Sequence, residues 1–260
     1  MFQDLATLAC GSYERHTNCK DVFENIYKAI NTLEKRLAEL PNEDDETIRL
    51  LGPFYGRSLL ENVCTAIVGR LDPFRILFLR NVQLQDTFGI TSRSKGAIQW
   101  FGDIYEKGLE RAEKEPNKMW SSSLEFSSIG RGLLGDYYGE IYWRPAFESL
   151  IDDPEDYIGK PYLGSDVTGI PPGQFTTQIR QKLSSLFSSL SKGVHTELLI
   201  KTELIYDKTT VLSLISEVIN YSALLGLVSH KIPSGLSMLE FRTAVERYAA
   251  VKERGDRYGG

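Results

Sequence analysis

The apolar spacing between Phe175 and Val194 constrains the fold most, because it follows the 3.6-residue period of an α-helix. One stripe of that helix carries seven apolar side chains: Phe175, Ile179, Leu183, Leu186, Phe187, Leu190 and Val194. Helical spacing also runs from Asn18 to Leu40, where Pro41 ends it, and Val211 to Ser229 is nearly continuous in apolar residues. Such segments must bury their stripes against one another. The sequence therefore predicts an all-α helical bundle.

Further segments complete this bundle. Helices are predicted over Pro53 to Leu71, with Pro53 in the first turn, over Ser94 to Glu115, and over Leu236 to Val251. Asp152 to Gly173 concentrates Asp, Gly and Pro and is predicted to be non-helical. We expect a single helical domain over residues 1–251, a loop insertion at 152–173 and a polar tail at 252–260. The insertion reads as a lid or partner-binding segment, with a domain linker as the alternative.

Charge and cysteine content limit the classes of function. The net charge of −5 and the isoelectric point near 5.4 argue against a surface built throughout to hold nucleic acid, although they allow a local basic groove. Cys10, His16 and Cys19 match no standard zinc pattern, so no metal or cofactor is expected. Three cysteines and an N-terminus without a leader pattern favour a cytoplasmic protein with free thiols.

The apolar segment from Val211 to Ser229 also raises the question of a membrane span. Glu217 and Asn220 lie in its middle, where a lipid environment would penalise both side chains. We therefore expect a buried core helix and no membrane association.

Arg57 and Glu61 form the first candidate site. They are four residues apart on a helix that is apolar on nearly every side, so a partly buried ion pair is expected. A purely structural salt bridge is one interpretation and a role in a binding or catalytic site is the other. If Glu61 were left buried and unpaired, Arg57→Ala would cost roughly 3 kcal/mol.

Serines follow the apolar stripe of the Phe175–Val194 helix on an adjoining face. Ser184, Ser188, Ser191 and His195 recur there at helical intervals, provided that Gly193 does not end the helix. Small hydroxyl side chains permit close approach of another helix, so this face is a candidate partner or dimer surface. A solvated polar face is the alternative.

The segment Gly130-Arg-Gly-Leu-Leu-Gly135 fits GxGxxG letter for letter. This fingerprint indicates dinucleotide binding only when it follows a strand and opens a helix, and the surrounding sequence is helical. A third interpretation of the whole chain is a nucleotide-binding or small-molecule-binding helical protein that uses the aromatic residues of Trp120 to Leu150 and the 152–173 loop.

Two motifs together resemble the HEPN superfamily of helical bundles. Arg57-Ser-Leu-Leu-Glu61 is similar to the Arg-x-x-x-Glu of several HEPN branches, and Phe187-x-x-Leu-Ser-x-x-x-His195 resembles their Tyr-x-x-Leu-Ser-x-x-x-His helix. Many members of that family are dimeric, metal-independent ribonucleases of toxin and antiviral systems. The resemblance implies a composite site at a homodimer interface, with histidine transferring a proton and arginine stabilising the phosphorane.

The chain departs from the family pattern at one position. The nuclease motif places an arginine shortly before the histidine, where this chain has Ser188, Ser189 and Leu190. The resemblance with this change favours a non-catalytic sensor, regulator or scaffold subunit that binds a protein partner encoded in the same operon. The alternative is a metal-independent endoribonuclease acting on RNA, with His195 as acid or base and Arg57 (beside Glu61) or Lys192 as the charge stabiliser.

Overall fold

A central helix from Asp45 to Leu71 organises the computed structural model, which describes residues 3–89, 91, 96–105, 131–152, 160–194 and 206–255. No β-strand occurs in this part of the chain. Its α-helices, in order, are α1 (Asp4–Cys10), α2 (Lys20–Glu39), α3 (Asp45–Leu71), α4 (Pro73–Gln83), α5 (Asp136–Tyr138), α6 (Arg144–Ile151), α7 (Lys160–Thr168), α8 (Phe175–Val194), α9 (Lys208–Ser229) and α10 (Phe241–Gly255). The predicted all-α fold is confirmed.

The central helix α3 packs against α2, α8 and α9, and its second half is buried on nearly every side. Gly52 permits the close contact with α9, because a Cβ atom at this position would lie 2.4 Å from Cγ1 of Val211. Buried side chains from α1 to α10 join in one hydrophobic core. The first and last helices of the described chain therefore share the core of α3.

Three predicted helices are present almost as expected. The helix predicted from Asn18 to Leu40 is α2, the stripe from Phe175 to Val194 is α8, and the apolar run to Ser229 is α9. By length and composition α9 is the one described helix that could cross a membrane, but 61% of its apolar window is buried inside the protein. One detail of α8 differs, because Val194 is 43% exposed at the end of the stripe.

The prediction that Pro53 begins a helix is wrong. The α3 helix begins eight residues earlier, at Asp45, where the Asp44 carboxylate caps it by accepting from the Thr47 backbone N–H at 2.9 Å. Pro53 lies inside the helix, where it cannot donate a backbone hydrogen bond. Because the helix is already capped at Asp44, Pro53 falls in its third turn rather than at its start.

The helix predicted from Ser94 is also wrong over its described part. Residues 96–99 are not helical, and Trp100–Ile104 form a single π-type turn. Gly102 interrupts regular helix with φ of 115°, and the Asp103 carboxylate accepts from the Gln99 backbone N–H at 2.8 Å. Residues 106–115 of the prediction lie outside the described chain.

The segment 152–173 is not an extended loop throughout. It contains α7, which is kinked at Gly164 (φ 65°), and a 3₁₀ turn begins at Pro172. The composition of Gly and Pro concealed these short helices. Both ends of the last predicted helix also differ. The helix α10 begins at Phe241 rather than Leu236, and it continues to Gly255, so the polar tail starts later than the predicted residue 252.

A buried arginine near the end of α3 joins three distant parts of the chain. Arg70 is fully buried and pairs with no carboxylate of the described residues. Its guanidinium donates to Leu236 O at 2.9 Å, Ser229 Oγ at 2.8 Å and His230 Nδ1 at 3.0 Å. The His230 Nε2 in turn donates to Leu8 O at 2.9 Å. Burial and the neighbouring Arg70 charge lower the pKa of His230 to about 2, so this imidazole is neutral.

A second charged cluster, centred on the buried carboxylates of Asp4 and Glu34, joins the first and last helices. The Asp4 carboxylate of α1 binds Arg247 at 2.7 Å and Arg254 at 2.5 Å, both on α10. Glu34 of α2 lies 3.6 Å from Arg254 and accepts from backbone N–H groups at the start of α1. Burial raises the pKa of Glu34 to about 7, although the positive charge of Arg254 acts to lower it.

The pKa shifts of His230 and Glu34 change the free energy of unfolding in opposite directions as the pH falls. His230 takes up a proton near pH 6.5 in the unfolded chain but only near pH 2 in the folded protein. The stability that the neutral imidazole contributes to the folded protein is therefore lost progressively as the pH falls below 6.5. Glu34 takes up its proton near pH 7 when folded and near 4.5 when unfolded. Its contribution is therefore complete below pH 4.5 and is lost as the pH rises through 7.

Between pH 4.5 and 6.5 the effects of His230 and Glu34 on the free energy of unfolding oppose each other. We predict that Glu34→Gln removes the opposing effect of Glu34, so that the acid sensitivity caused by His230 becomes measurable. The free energy of unfolding of the variant should fall by up to about 1.4 kcal/mol per pH unit toward acid, and that of the wild type should change less. Urea unfolding across this window measures both. Glu148→Gln, at an exposed position of α6, should follow the wild-type curve. Coincident curves for Glu34→Gln and wild type would contradict the assignment.

Candidate functional site

The central helix α3 and the end of α8 lie in direct contact. A Cβ atom at Gly193 would lie 2.5 Å from Cγ of Pro53, so only glycine permits this approach. Arg57 follows Pro53 by one helical turn. The contact therefore places Arg57 beside the described end of α8.

The two sequence motifs touch through their first residues. The Arg57 guanidinium carbon lies 4.5 Å from the centroid of the Phe187 ring, a cation–π contact. Arg57 Nε also donates to Glu61 Oε1 at 3.3 Å. The side chains of Arg57 and Glu61 are 28% and 37% exposed, so the pair lies at the surface of the bundle rather than inside it.

The other face of Phe187 is covered by Trp100. The two rings are stacked with centroids 4.1 Å apart and planes within 2°. A parallel indole and a guanidinium at such distances cannot share one face, so Phe187 lies between Trp100 and Arg57. Phe101 meets the edge of Phe187 at 5.9 Å and remains 50% exposed. Sequence reasoning missed both aromatic residues, which it had placed in a regular helix.

An open cleft of about 790 Å³ lies over this stack. Its polar lining includes Arg57, Glu61, Ser188 and Ser191. Ser188 is exposed, whereas Ser191 Oγ is occupied as a donor to Phe187 O at 2.6 Å. The structure thus brings together both members of the α3 pair and two of the three predicted serines.

The remaining predicted residues have other positions. Ser184 is half-buried and does not line the cleft. Lys192 is exposed at the end of α8 and is likewise outside the lining. His195 lies outside the described residues, so its predicted place beside Arg57 stays a prediction.

The glycine-rich segment does not form a phosphate-binding loop in its described part, residues 131–135. The backbone N–H groups of Leu133 and Leu134 donate to Asp103 O at 2.8 Å and Ile104 O at 2.9 Å. These donors are therefore not free to bind pyrophosphate. Downstream, Trp143 and Phe147 are buried in the core, so these rings of the aromatic segment line no open pocket.

The cysteines lack the environment of reactive or metal-binding thiols. Cys10, Cys19 and Cys64 are free and buried. Burial raises the pKa of Cys10 and of Cys64 to about 12, which suppresses the nucleophilic thiolate. Within the described residues no cluster of three or more His, Cys, Asp or Glu side chains is arranged to hold a metal ion.

The exposure of the Arg57–Glu61 pair lowers the expected cost of Arg57→Ala from roughly 3 to about 1 kcal/mol, the sum of a modest ion pair and one cation–π contact. The urea midpoint measures the loss. Arg36→Ala is a matched control, since Arg36 pairs with Glu39 on a helix surface without a ring contact. It should shift the midpoint less. A loss near 3 kcal/mol for Arg57→Ala would contradict the surface assignment.

Three comparisons with known proteins complete the description of the site. No protein-family model, no curated protein and no solved structure matches this chain. The assignment of function therefore depends on the geometry of the cleft and on the motif resemblance.

Proposed function

We propose that this protein is a HEPN-like, non-catalytic subunit of an antiviral-defence or toxin-type system and that it binds a protein partner through the surface around Arg57. The resemblance of two motifs to the HEPN superfamily supports the biological setting. The chemistry of the surface itself supports the partner. The observation that carries the proposal is a row of exposed apolar side chains that continues directly into the Arg57–Glu61 pair.

This surface, called here the α3 face, consists of Leu50, Phe54, Arg57 and Glu61. These residues recur at helical intervals and so share one side of α3. Leu50 is 61% exposed and Phe54 is 52% exposed. Large side chains exposed in series along one helix favour a binding surface over an ordinary solvated one.

The composition of the α3 face matches that of protein interfaces. Aromatic residues and arginine supply most of the binding energy in interface centres, whereas isolated surface charges contribute little. Phe101, which borders the cleft, extends the apolar area beyond α3. A partner that covers Phe54 and Phe101 would also exclude water from the Arg57–Glu61 pair and strengthen it.

The environment of Arg57 disfavours a catalytic role for this guanidinium. One of its faces is against Phe187, and its Nε donates to the Glu61 carboxylate. A carboxylate at hydrogen-bond distance also repels a phosphate that approaches the same cation. These contacts support a positioning and recognition role rather than stabilisation of a phosphorane.

A metal-independent ribonuclease remains the second candidate because of the contact between Gly193 and Pro53. That contact brings the end of α8, which carries Lys192, against the turn of α3 that precedes Arg57. His195 follows two residues after Gly193 in the sequence. The chemistry would then be transesterification by His195 with Arg57 or Lys192 as the cation.

The partner proposal predicts that Phe54→Asp reduces capture of the partner, produced from a neighbouring gene, by about tenfold or more, because a hot-spot side chain is lost and a charge is buried. Quantitative pull-down from co-expressed proteins measures this change. Ile141→Asp is a matched control, since Ile141 is 51% exposed and belongs to the turn between α5 and α6, outside the α3 face. Equal loss in both variants, or in neither, would contradict a specific α3 face.

Light scattering at about tens of micromolar then distinguishes a second copy from a different partner. A wild-type dimer that Phe54→Asp converts to a monomer identifies the partner as the same chain. A wild-type monomer that still captures the neighbouring gene product identifies a heteromeric subunit. A monomer that captures nothing would overturn the proposal.

The non-catalytic assignment predicts that the purified protein leaves transfer RNA and total RNA intact in EDTA, alone and with the captured partner. Gel analysis of both RNAs provides the measurement. The His195→Ala, Lys192→Ala and Arg57→Ala variants should be indistinguishable from the wild type. Cleavage by the wild type that is abolished in His195→Ala would establish the ribonuclease instead.

A further inference from the structure

The outer side of α4 carries an exposed aromatic pair. Phe74 and Phe78 are four residues apart and therefore share one side of the helix, where their rings stack with centroids 6.5 Å apart. They are 68% and 58% exposed. The inner side of α4 packs against α3, with the buried Ile76 in contact with Gly69. Two large rings exposed side by side favour a surface that another stretch of protein covers.

One segment outside the described chain returns beside this pair. Residues 106–130 follow Tyr105 and precede Arg131. Arg75, the residue next to Phe74, donates from its guanidinium to the backbone oxygen of Arg131 at 2.9 Å. Chain connectivity therefore keeps the last residues of the segment close to Phe74.

The other end of the segment is held at the same turn of α4. Arg75 also donates to Oδ1 of Asp103 at 3.4 Å. The backbone N–H of Leu133 donates to Asp103 O, and that of Leu134 donates to Ile104 O, so the stretches before and after the segment lie side by side. The segment thus leaves and returns at the N-terminal end of α4, where the aromatic pair begins.

The sequence of the segment divides into a charged half and an apolar half. Residues 106–118 include eight charged side chains, whereas residues 119–130 include only Glu125. The apolar side chains of the second half are Met119, Trp120, Leu124, Phe126 and Ile129. Removing such side chains from water stabilises a folded chain, so this half needs an apolar surface to cover. It is also the half that is joined directly to Arg131.

We propose that residues 119–129 cover the Phe74–Phe78 pair, so that the outer side of α4 binds a segment of its own chain. An extended chain advances at most about 3.6 Å per residue, so Phe126 reaches up to about 18 Å from Arg131. Phe78 lies only about 6 Å beyond Phe74 along the helix axis. The pair is therefore well within reach of Phe126.

The tether favours this occupant over a separate molecule. A segment attached at both ends beside α4 has a high effective concentration at the aromatic pair, and it loses no translational freedom on binding. A second copy or another protein would have to overcome both advantages. The α3 face has no such tethered occupant in the proposal and stays free in the isolated chain.

Cysteine pairs test the contact in the full chain. Phe78→Cys is combined in turn with Leu124→Cys, Phe126→Cys and Ile129→Cys, and mild oxidation is followed by mass spectrometry without reduction. At least one pair should form a disulfide within the chain about tenfold faster than the same partner does with Ile141→Cys. Ile141 is a matched control, being 51% exposed beyond the other end of Arg131. The native cysteines are buried.

Three outcomes of the oxidation would overturn the proposal. A disulfide between two chains would assign the aromatic pair to a second copy. Equal rates for the Phe78→Cys and Ile141→Cys pairs would show a segment without a preferred surface. Absence of any disulfide in variants that urea unfolding shows to be folded would leave α4 uncovered.

Stability of the isolated chain gives a test that needs no crosslink. Phe78 and Phe54 are 58% and 52% exposed inside helices, but only Phe78 would be covered by the segment. Phe78→Ser should therefore lower the urea midpoint at least about twice as much as Phe54→Ser. Phe126→Ser should lower it too, and the double variant with Phe78→Ser should lower it little further. Equal shifts for Phe78→Ser and Phe54→Ser, or full additivity in the double variant, would contradict the contact.

Discussion

The burial of Arg70 without a carboxylate partner in the described chain is the constraint on which the rest of the structure depends. A buried guanidinium is stable only when acceptors surround it, and burial already lowers the pKa of Arg70 to about 10. Its acceptors are the backbone oxygens of Ala9 and Leu236, Ser229 Oγ and His230 Nδ1. The first helix, the central helix and the turn after α9 must therefore all be in place for the charge to be satisfied.

The hydrogen bonds of Arg70 also determine the orientation of the α3 face, which lies toward the other end of the same helix. Arg57 precedes Arg70 by 13 residues, or about 20 Å along a continuous α-helix. The helix is buried around Arg70, whereas Leu50 and Phe54 are exposed near its start. One rigid element thus contributes the core at one end and the α3 face at the other. The α3 face needs no separate support, because the anchored helix fixes its direction.

Sequence patterns predicted those elements whose structure depends on local spacing. The α8 helix was bounded correctly because its apolar stripe and its neighbouring serines repeat with the helical period. The patterns failed at Pro53, where they predict a helix start, and at Gly102, whose helix-breaking conformation is concealed by the apolar spacing around it. Pro53 lies within a helix that Asp44 had already capped, and Gly102 interrupts a segment whose apolar spacing resembles a helix. The acceptors of Arg70 are up to 166 residues away, so no local pattern could reveal them.

The candidate site was predictable as two motifs but not as one surface. Arg57 and Glu61 were identified by their spacing and Phe187 by its place in the second motif, yet their contact depends on the approach of Gly193 to Pro53. Once formed, the stack of Trp100, Phe187 and Arg57 directs the guanidinium toward Glu61 and leaves little net charge at the centre. A phosphate backbone would find its cation already paired. A protein with apolar side chains opposite Phe54 would gain buried area without breaking that pair, which is why we propose recognition rather than catalysis.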